Sequence, residues 1–360
     1  MTTTTPSPTT SPTTASAPRT PEPGHPAPRV LLGLVVALAA AIGLMVLAFG
    51  APAVNSGAHD LPLAVSGPPA AIDGLTHALD TAQPGAFDVT AHTGADDVTS
   101  AIEDRDAVGG IVLDPSDPTR VTVEVASAAG TPYAPLLRAV GASLAAKGDT
   151  VTYTDVVPLT ADDPTGAGLT ALALPIMFGG MASAVTLVNV ARRSRVRRVV
   201  ASLAFSVLAG ITATAVLQLW LGSVDGSFWL TAAGIGLGVA GVSLTVLGLE
   251  SLLGYAGLGL GAVLMLFVAN PLSGIATGAA WLPHPWGEIG QLLPIGAAGT
   301  LTRSAAFFDG AGAAQAVVVL VGWIALGLVL VALSGLRARR RQRSAPAAAV
   351  EPEPTPAPAA

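Results

Sequence analysis

Cysteine is absent from the 360 residues, which excludes disulfide frameworks, thiolate nucleophiles, Cys-bearing zinc sites and Cys-ligated iron–sulfur clusters, and leaves the redox compartment undetermined. Charge is scarce as well. Asp, Glu, Lys and Arg make up 11% of the chain, against about 25% in soluble domains, and that deficit argues against a single soluble globule. Lysine occurs once, at Lys147, and no Gly-x-x-x-x-Gly-Lys-[Ser/Thr] loop is present, so the chain carries no ATP-hydrolysing phosphate loop. A net charge of -6 gives no reason to expect a nucleic-acid partner.

What the chain does contain is hydrophobic sequence in long runs. Val30 to Gly50 is an uncharged stretch after Arg29 and a Thr/Pro/Ser-rich start. A helix of about 20 such residues crosses ~30 Å of hydrocarbon. The rival reading is a secretory signal cut near Ala51-Pro52-Ala53, but the run is longer than the usual 7 to 15 residue signal core, and proline disfavours the cut. Further runs at Leu169–Val190, Val199–Leu221, Phe228–Leu249, Leu252–Ala269 and Ala313–Leu336 bring the expected spans to six. Twelve of the 17 basic residues flank these spans on one side: Arg19 and Arg29, the cluster Arg192, Arg193, Arg195, Arg197 and Arg198, and Arg337, Arg339, Arg340, Arg341 and Arg343. The positive-inside rule makes that side cytoplasmic and puts both termini there. The cluster from Arg192 to Arg198 sets topology and meets anionic headgroups, or docks a cytoplasmic partner.

The intervening stretch from Ala51 to Gly168 then lies outside, with 16 acids against four bases (Arg105, Arg120, Arg138, Lys147) and a net charge of -12. Its pattern alternates strands and helices: Leu61–Val65, a helix at Pro69–Ala82, Phe87–Ala91, a helix at Ala95–Asp104, Val108–Leu113, Arg120–Val125, a helix at Tyr133–Lys147 and Val151–Val157. That predicts an α/β module with its own core. Asp114-Pro-Ser-Asp-Pro118 reads as a turn with proline fixing φ. Asp73 and His77, four apart on one predicted helix, fall short of the three or four converging ligands a zinc site needs. Asp96-Asp97 and Glu103 to Asp106 read as a solvated acidic face rather than catalytic carboxylates. No Gly-x-Ser-x-Gly elbow and no His-Glu-x-x-His helix occurs in the module, so no enzyme activity, metal or cofactor is expected.

Pro271 to Gly312 is too apolar for an ordinary loop and too interrupted for a span, broken by Pro271, Pro283, Pro285 and Pro294. It is expected to dip into the outer leaflet, where non-helical backbone must be covered by protein or line a water-filled cavity. Glu288, Arg303 and Asp309 lie in it. Ionisable groups near hydrocarbon mark a pathway or a pair, which makes these three an outer-gate candidate, although Glu288 after Pro285 also suits the first turn of a short helix. The expected architecture is an α-helical polytopic protein: a tail at 1–28, helix 1 at 29–50, an extracytoplasmic α/β domain at 51–168, five helices at 169–336 with a re-entrant segment at 271–312, and a basic then Ala/Pro-rich tail at 337–360.

Asn270-Pro-Leu-Ser-Gly274, Leu282-Pro-His-Pro-Trp-Gly287, Gln291-Leu-Leu-Pro294 and Arg303-Ser-Ala-Ala-Phe-Phe-Asp-Gly310, with Ala101-Ile-Glu-Asp-Arg-Asp-Ala-Val-Gly-Gly-Ile-Val112 in the outer module, resemble the ABC-2 type exporter permeases, in the branch that contains the phage infection protein family. The resemblance covers residues 28 to 340 or so. It implies a permease homodimer or heterodimer, driven outward-exporting by a separate ABC ATPase subunit, in contact with membrane lipids. One departure is the missing amphipathic coupling helix, whose place only the Arg192 to Arg198 loop can take. The other class compatible with the pattern is a membrane-anchored surface receptor, scaffold or secretion accessory with no transport cycle. Heavy Ala, Gly, Pro and Arg use with a single lysine points to a high-GC bacterial genome and a plasma-membrane location.

Overall fold

The computed structural model describes residues 28–117, 119–191 and 194–344, the last four by their backbone only. It is mostly helical, with one five-stranded sheet. Among the described residues, those up to Met45 form one compact unit and those from Val46 onward another. Helix α1 (Pro28–Asn55) starts in the first and ends in the second, continuing beyond Gly50 through Pro52. Its 28 residues have a mean hydropathy of 2.9 over the best window.

The α/β domain follows in the order β1 (Leu61–Ser66), α2 (Pro69–Ala82), β2 (Phe87–His92), α3 (Ala95–Glu103), β3 (Gly109–Leu113), β4 (Arg120–Val125), α4 (Tyr133–Ala145) and β5 (Thr150–Asp155). The sheet order is β2-β1-β3-β4-β5, parallel throughout except for the antiparallel β3/β4 pair. That hairpin turns where the sequence places its Asp/Pro turn. Asp114 accepts hydrogen bonds from the Ser116 amide and hydroxyl, Asp117 does the same for Thr119, and Arg120 pairs with both aspartates at 3.8 and 3.4 Å. The period-two alternation of a strand sends neighbouring side chains to opposite faces. Leu63 and Val65 accordingly join α2 and α4 in one core, while Ala64 joins α3 in another. This second core also takes in Phe308, from the turn between the last two helices of the chain's second half.

The helices of that half are α5 (Ala167–Ala171) running into α6 (Ala173–Val190), α7 (Arg195–Thr214) with a π-helical last turn at Ala215–Trp220, and α8 (Phe228–Leu253). After them come α9 (Tyr255–Val263) with a π-helical turn at Leu264–Ala269, then α10 (Trp286–Gln291), α11 (Pro294–Phe307) and α12 (Ala314–Ser344). The helix α8 is the hub. Its apolar window is 83% buried, against 39%, 22% and 17% for the windows on α6, α7 and α12, because α6, α7, α11 and α12 all pack on it. Small residues allow the approach: a side chain at Gly238 would strike Ala298 of α11, and Gly248 and Gly327 bring α8 and α12 backbones together. Ser243 of α8 also sits 2.7 Å from both Ser183 of α6 and Ser202 of α7, tying three helices at one level.

Among the described residues, five helices are long and apolar enough to cross a membrane, and Tyr255–Ala269 is a shorter apolar one. The sequence-based span at Leu252–Ala269 is therefore divided at its start. Gly254, with φ of 66°, ends α8 and reverses the chain, which leaves 15 residues or about 22 Å of helix. What α9 lacks, α11 supplies. Gly257 and Gly261 of α9 lie against Leu249 and Val246 in the C-terminal half of α8, while Pro294, Ala298 and Thr302 of α11 lie against Gly241, Gly238 and Gly234 in its N-terminal half. Both helices run antiparallel to α8, and residues 270–293 leave between them to meet the α/β domain through Ala276, Gly278 and Trp281.

Candidate functional site

The domain and the broken segment meet at Arg105. Asp104 caps α3, and Arg105 follows in the left-handed region with φ of 68°, a conformation costing about 1 kcal/mol or more in a non-glycine residue. From there its Nη1 donates to the Thr300 carbonyl at 3.2 Å and to the Ser304 hydroxyl of α11, and its guanidinium lies 5.1 Å from the centre of the Phe308 ring. Burial lowers its pKa from the ordinary arginine value, with Tyr133 acting in the opposite direction.

Tyr133, the first residue of α4, forms the other side. It is 2% exposed and packs edge-on to Trp281 with ring centres 6.0 Å apart. Burial pushes its phenol up to about 12 despite Arg303, Arg105 and a bond from the Trp281 amide, so it stays protonated and can donate. Gly278 is obligatory beneath it, with φ of 84° and a Cβ position 2.4 Å from the phenol oxygen. The Gly57 amide donates to the Trp281 carbonyl at 3.0 Å, and the Thr131 amide donates to the Ala276 carbonyl at 3.3 Å. Between these contacts lies a cavity of about 220 Å³ whose polar wall is Arg105, Tyr133, Gln291, Thr300 and Gln315.

Of the three residues singled out as an outer gate, Arg303 is buried, at 4% exposure, on α11. Its Nη2 donates to the Ile275 carbonyl at 2.7 Å, and its Nε has no hydrogen-bond partner. Glu288 stands in the first turn of α10, its side chain 73% exposed and 3.2 Å from Nδ1 of His284. Asp309 is exposed in the turn after α11, with φ of 48°, and lines a separate acidic cleft with Glu103, Asp104 and Asp225. The three do not converge: among the described residues no ion pair joins any two of them.

At the other end of α8, Arg195 and Arg197 are exposed on the first turn of α7. Arg198 instead pairs with Glu250 of α8 at 2.9 Å, their side chains 12% and 14% exposed, and donates to the Ala191 carbonyl at 3.0 Å. Arg192 and Arg193 lie outside the described residues. Asp73 and His77 line a shallow groove on α2, and among the described residues no three metal-ligating side chains gather. Sequence reasoning did not single out Arg105 or Tyr133; the available signal was an arginine within a run of three acids, Glu103, Asp104 and Asp106.

No protein-family model, curated protein or solved structure matches this chain.

Proposed function

We propose that the chain is the membrane permease subunit of an ABC-2 type exporter, with ATP hydrolysis supplied by a separate polypeptide. One observation carries this reading. The helical cover on α8 is discontinuous: α9 and α11 pack on different parts of α8, and residues 270–293 between them are irregular apart from a 3-10 turn and the six-residue α10. Lipid cannot satisfy the amides of such a break, so at membrane depth it belongs beside protein or a water-filled path. Broken helices of this kind are used by transporters to build sites near the midplane.

On this reading the chain crosses the plasma membrane six times, α9 and α11 together making the fifth crossing. Both termini are cytoplasmic, and the acidic α/β domain lies outside. The arginine-bearing ends of α7 and α12 lie at the Glu250 end of α8, and the α/β domain docks at the opposite end, the segregation that the positive-inside rule requires. Arg195 and Arg197 are then the exposed cytoplasmic charges through which the ATPase or anionic lipid is met.

The test is affinity purification of the tagged protein from its own host in mild detergent, with an ATPase assay on the eluate. Recovery of a nucleotide-binding subunit in stoichiometric amount is expected, and Arg195→Glu with Arg197→Glu should reduce it at least tenfold while leaving the melting temperature unchanged. Recovery of the chain with no ATPase, even after crosslinking, would replace the permease with a surface receptor or scaffold.

A further inference from the structure

We propose that the cavity between the α/β domain and the broken segment binds an anionic oxygen group, a carboxylate or phosphate, carried by a small molecule or by a lipid headgroup. Its volume of about 220 Å³ suits such a group and little more, since whole drug-sized ligands occupy about 300 Å³ upward. No carboxylate lines it, while Arg105, Tyr133, Gln291, Thr300 and Gln315 do. Thr300 and Gln291 are bonded to each other and Gln291 also donates to the Ser273 carbonyl, so Arg105, Tyr133 and Gln315 are the donors left to a ligand; within an outer stretch of net charge -12, a wall that keeps them and excludes every acid is a selective arrangement.

The second observation is Arg303, which does not itself line the cavity but lies one turn along α11 from Thr300, which does. It is 4% exposed, its Nε lacks a partner, and among the described residues neither it nor Arg105 has an ion pair. A buried charge without a counter-charge is costly, by several kcal/mol per ion after relaxation. Two guanidinium groups sharing one uncompensated region repel each other, and an anion between or beside them relieves both penalties. Arg105 keeps donors for it: of its three guanidinium nitrogens only Nη1 has a hydrogen-bond partner among the described residues. A role as a latch to α11 accounts for Nη1 and for the Phe308 contact. It does not account for the buried charge of Arg303 or for the acid-free wall.

The site stands on this chain alone, so its failure and that of the exporter reading are separable. Purified full-length protein in phosphatidylcholine nanodiscs is titrated calorimetrically with inorganic phosphate. In parallel, protein in phosphatidylglycerol nanodiscs is released for native mass spectrometry. Phosphate binding in neutral lipid assigns a soluble anion; one retained phosphatidylglycerol per chain with no phosphate binding assigns a headgroup. In either case Arg105→Gln should weaken binding at least tenfold. Gln315→Glu should do the same by placing a carboxylate in the cavity, and because Gln315 is exposed that variant keeps the fold even where Arg105→Gln does not. Binding of neither probe, or binding unchanged in Gln315→Glu, overturns the proposal.

Discussion

Removing Arg198 separates two roles for the arginine-rich loop. Its guanidinium lies 2.9 Å from the Glu250 carboxylate, and at an effective dielectric of about 20 two unit charges at that distance attract by about 6 kcal/mol. Desolvation of both groups offsets much of this, and truncating one member of a buried pair typically costs about 3–5 kcal/mol. Side-chain exposures of 12% and 14% allow some water to reach either group, which places the expected loss near the lower bound. Arg198→Gln and Glu250→Gln should each destabilise by about 3 kcal/mol, the arginine variant slightly more because it also loses the bond to the Ala191 carbonyl. The double variant should cost about 4 kcal/mol, a coupling of about 2 kcal/mol. The assay is equilibrium unfolding in mixed micelles titrated with dodecyl sulfate and followed by circular dichroism. Since the pair is largely buried, the coupling should change little between 0.05 and 0.5 M salt, concentrations spanning about a threefold change in screening length. Additivity of the two single variants within about 0.5 kcal/mol would refute the pairing argument and group Arg198 with Arg195 and Arg197.

Two further outcomes follow from the helix packing and from the α/β domain. Gly327→Ala should destabilise by about 1–3 kcal/mol, because the new Cβ would lie 2.4 Å from the Leu244 carbonyl, whereas Gly322→Ala, with nothing within 4 Å, should be neutral or stabilising by up to ~1 kcal/mol; equal melting temperatures for the two would contradict the helix contact. Glu124 of β4 is 7% exposed and accepts from the Thr99 hydroxyl at 2.9 Å. Burial raises its pKa, an effect only partly opposed by Thr99 and reinforced by Asp96 and Glu103. The folded state therefore holds the proton more tightly than the unfolded one. This contribution to stability is full below the ordinary carboxyl pKa of about 4.3 and is lost as pH rises through the raised value. Glu124→Gln should slow hydrogen exchange of β4 amides at pH 7 and lose that advantage near pH 4; a difference that grew on acidification would reverse the sign of the argument.

Half-buried strands and amphipathic helices advertise themselves by period, which is why the α/β domain was legible in the sequence. The bounds of α2 at Pro69–Ala82 and of β4 at Arg120–Val125 follow directly from the residue pattern, and the other elements differ by one or two residues at their ends. The membrane-like part was legible only as hydropathy. Hydropathy detects the apolar run around Leu252–Ala269 but not the reversal at Gly254, a backbone event with φ of 66°. It also misses α11, whose sequence Pro294-Ile-Gly-Ala-Ala-Gly-Thr-Leu-Thr-Arg-Ser-Ala-Ala-Phe307 is diluted by small and polar residues. Those residues are there because almost every one of its positions is buried against another backbone. Arg105 was invisible for a different reason: its acceptors, Thr300 and Ser304, lie 195 and 199 residues away, and no local pattern encodes a contact of that separation.

The distribution of arginines completes the argument about where function lies. Those at the Glu250 end of α8 either face outward, as Arg195 and Arg197 do, or are matched by a carboxylate, as Arg198 is. At the opposite end, Arg120 is likewise matched by Asp114 and Asp117 on an exposed turn. Arg105, half-buried, and Arg303, buried, break both habits, and among the described residues no carboxylate pairs with either. On the proposed orientation the positive-inside rule gives these two charges no topological role, and stability is reduced by burying charge unpaired. The two residues also sit where the α/β domain meets the second half of the broken helix, with Arg105 bonded directly to α11. An anion arriving there would change the electrostatic balance of both bodies at once, so occupancy of the cavity and the seating of the domain on α11 are thermodynamically linked.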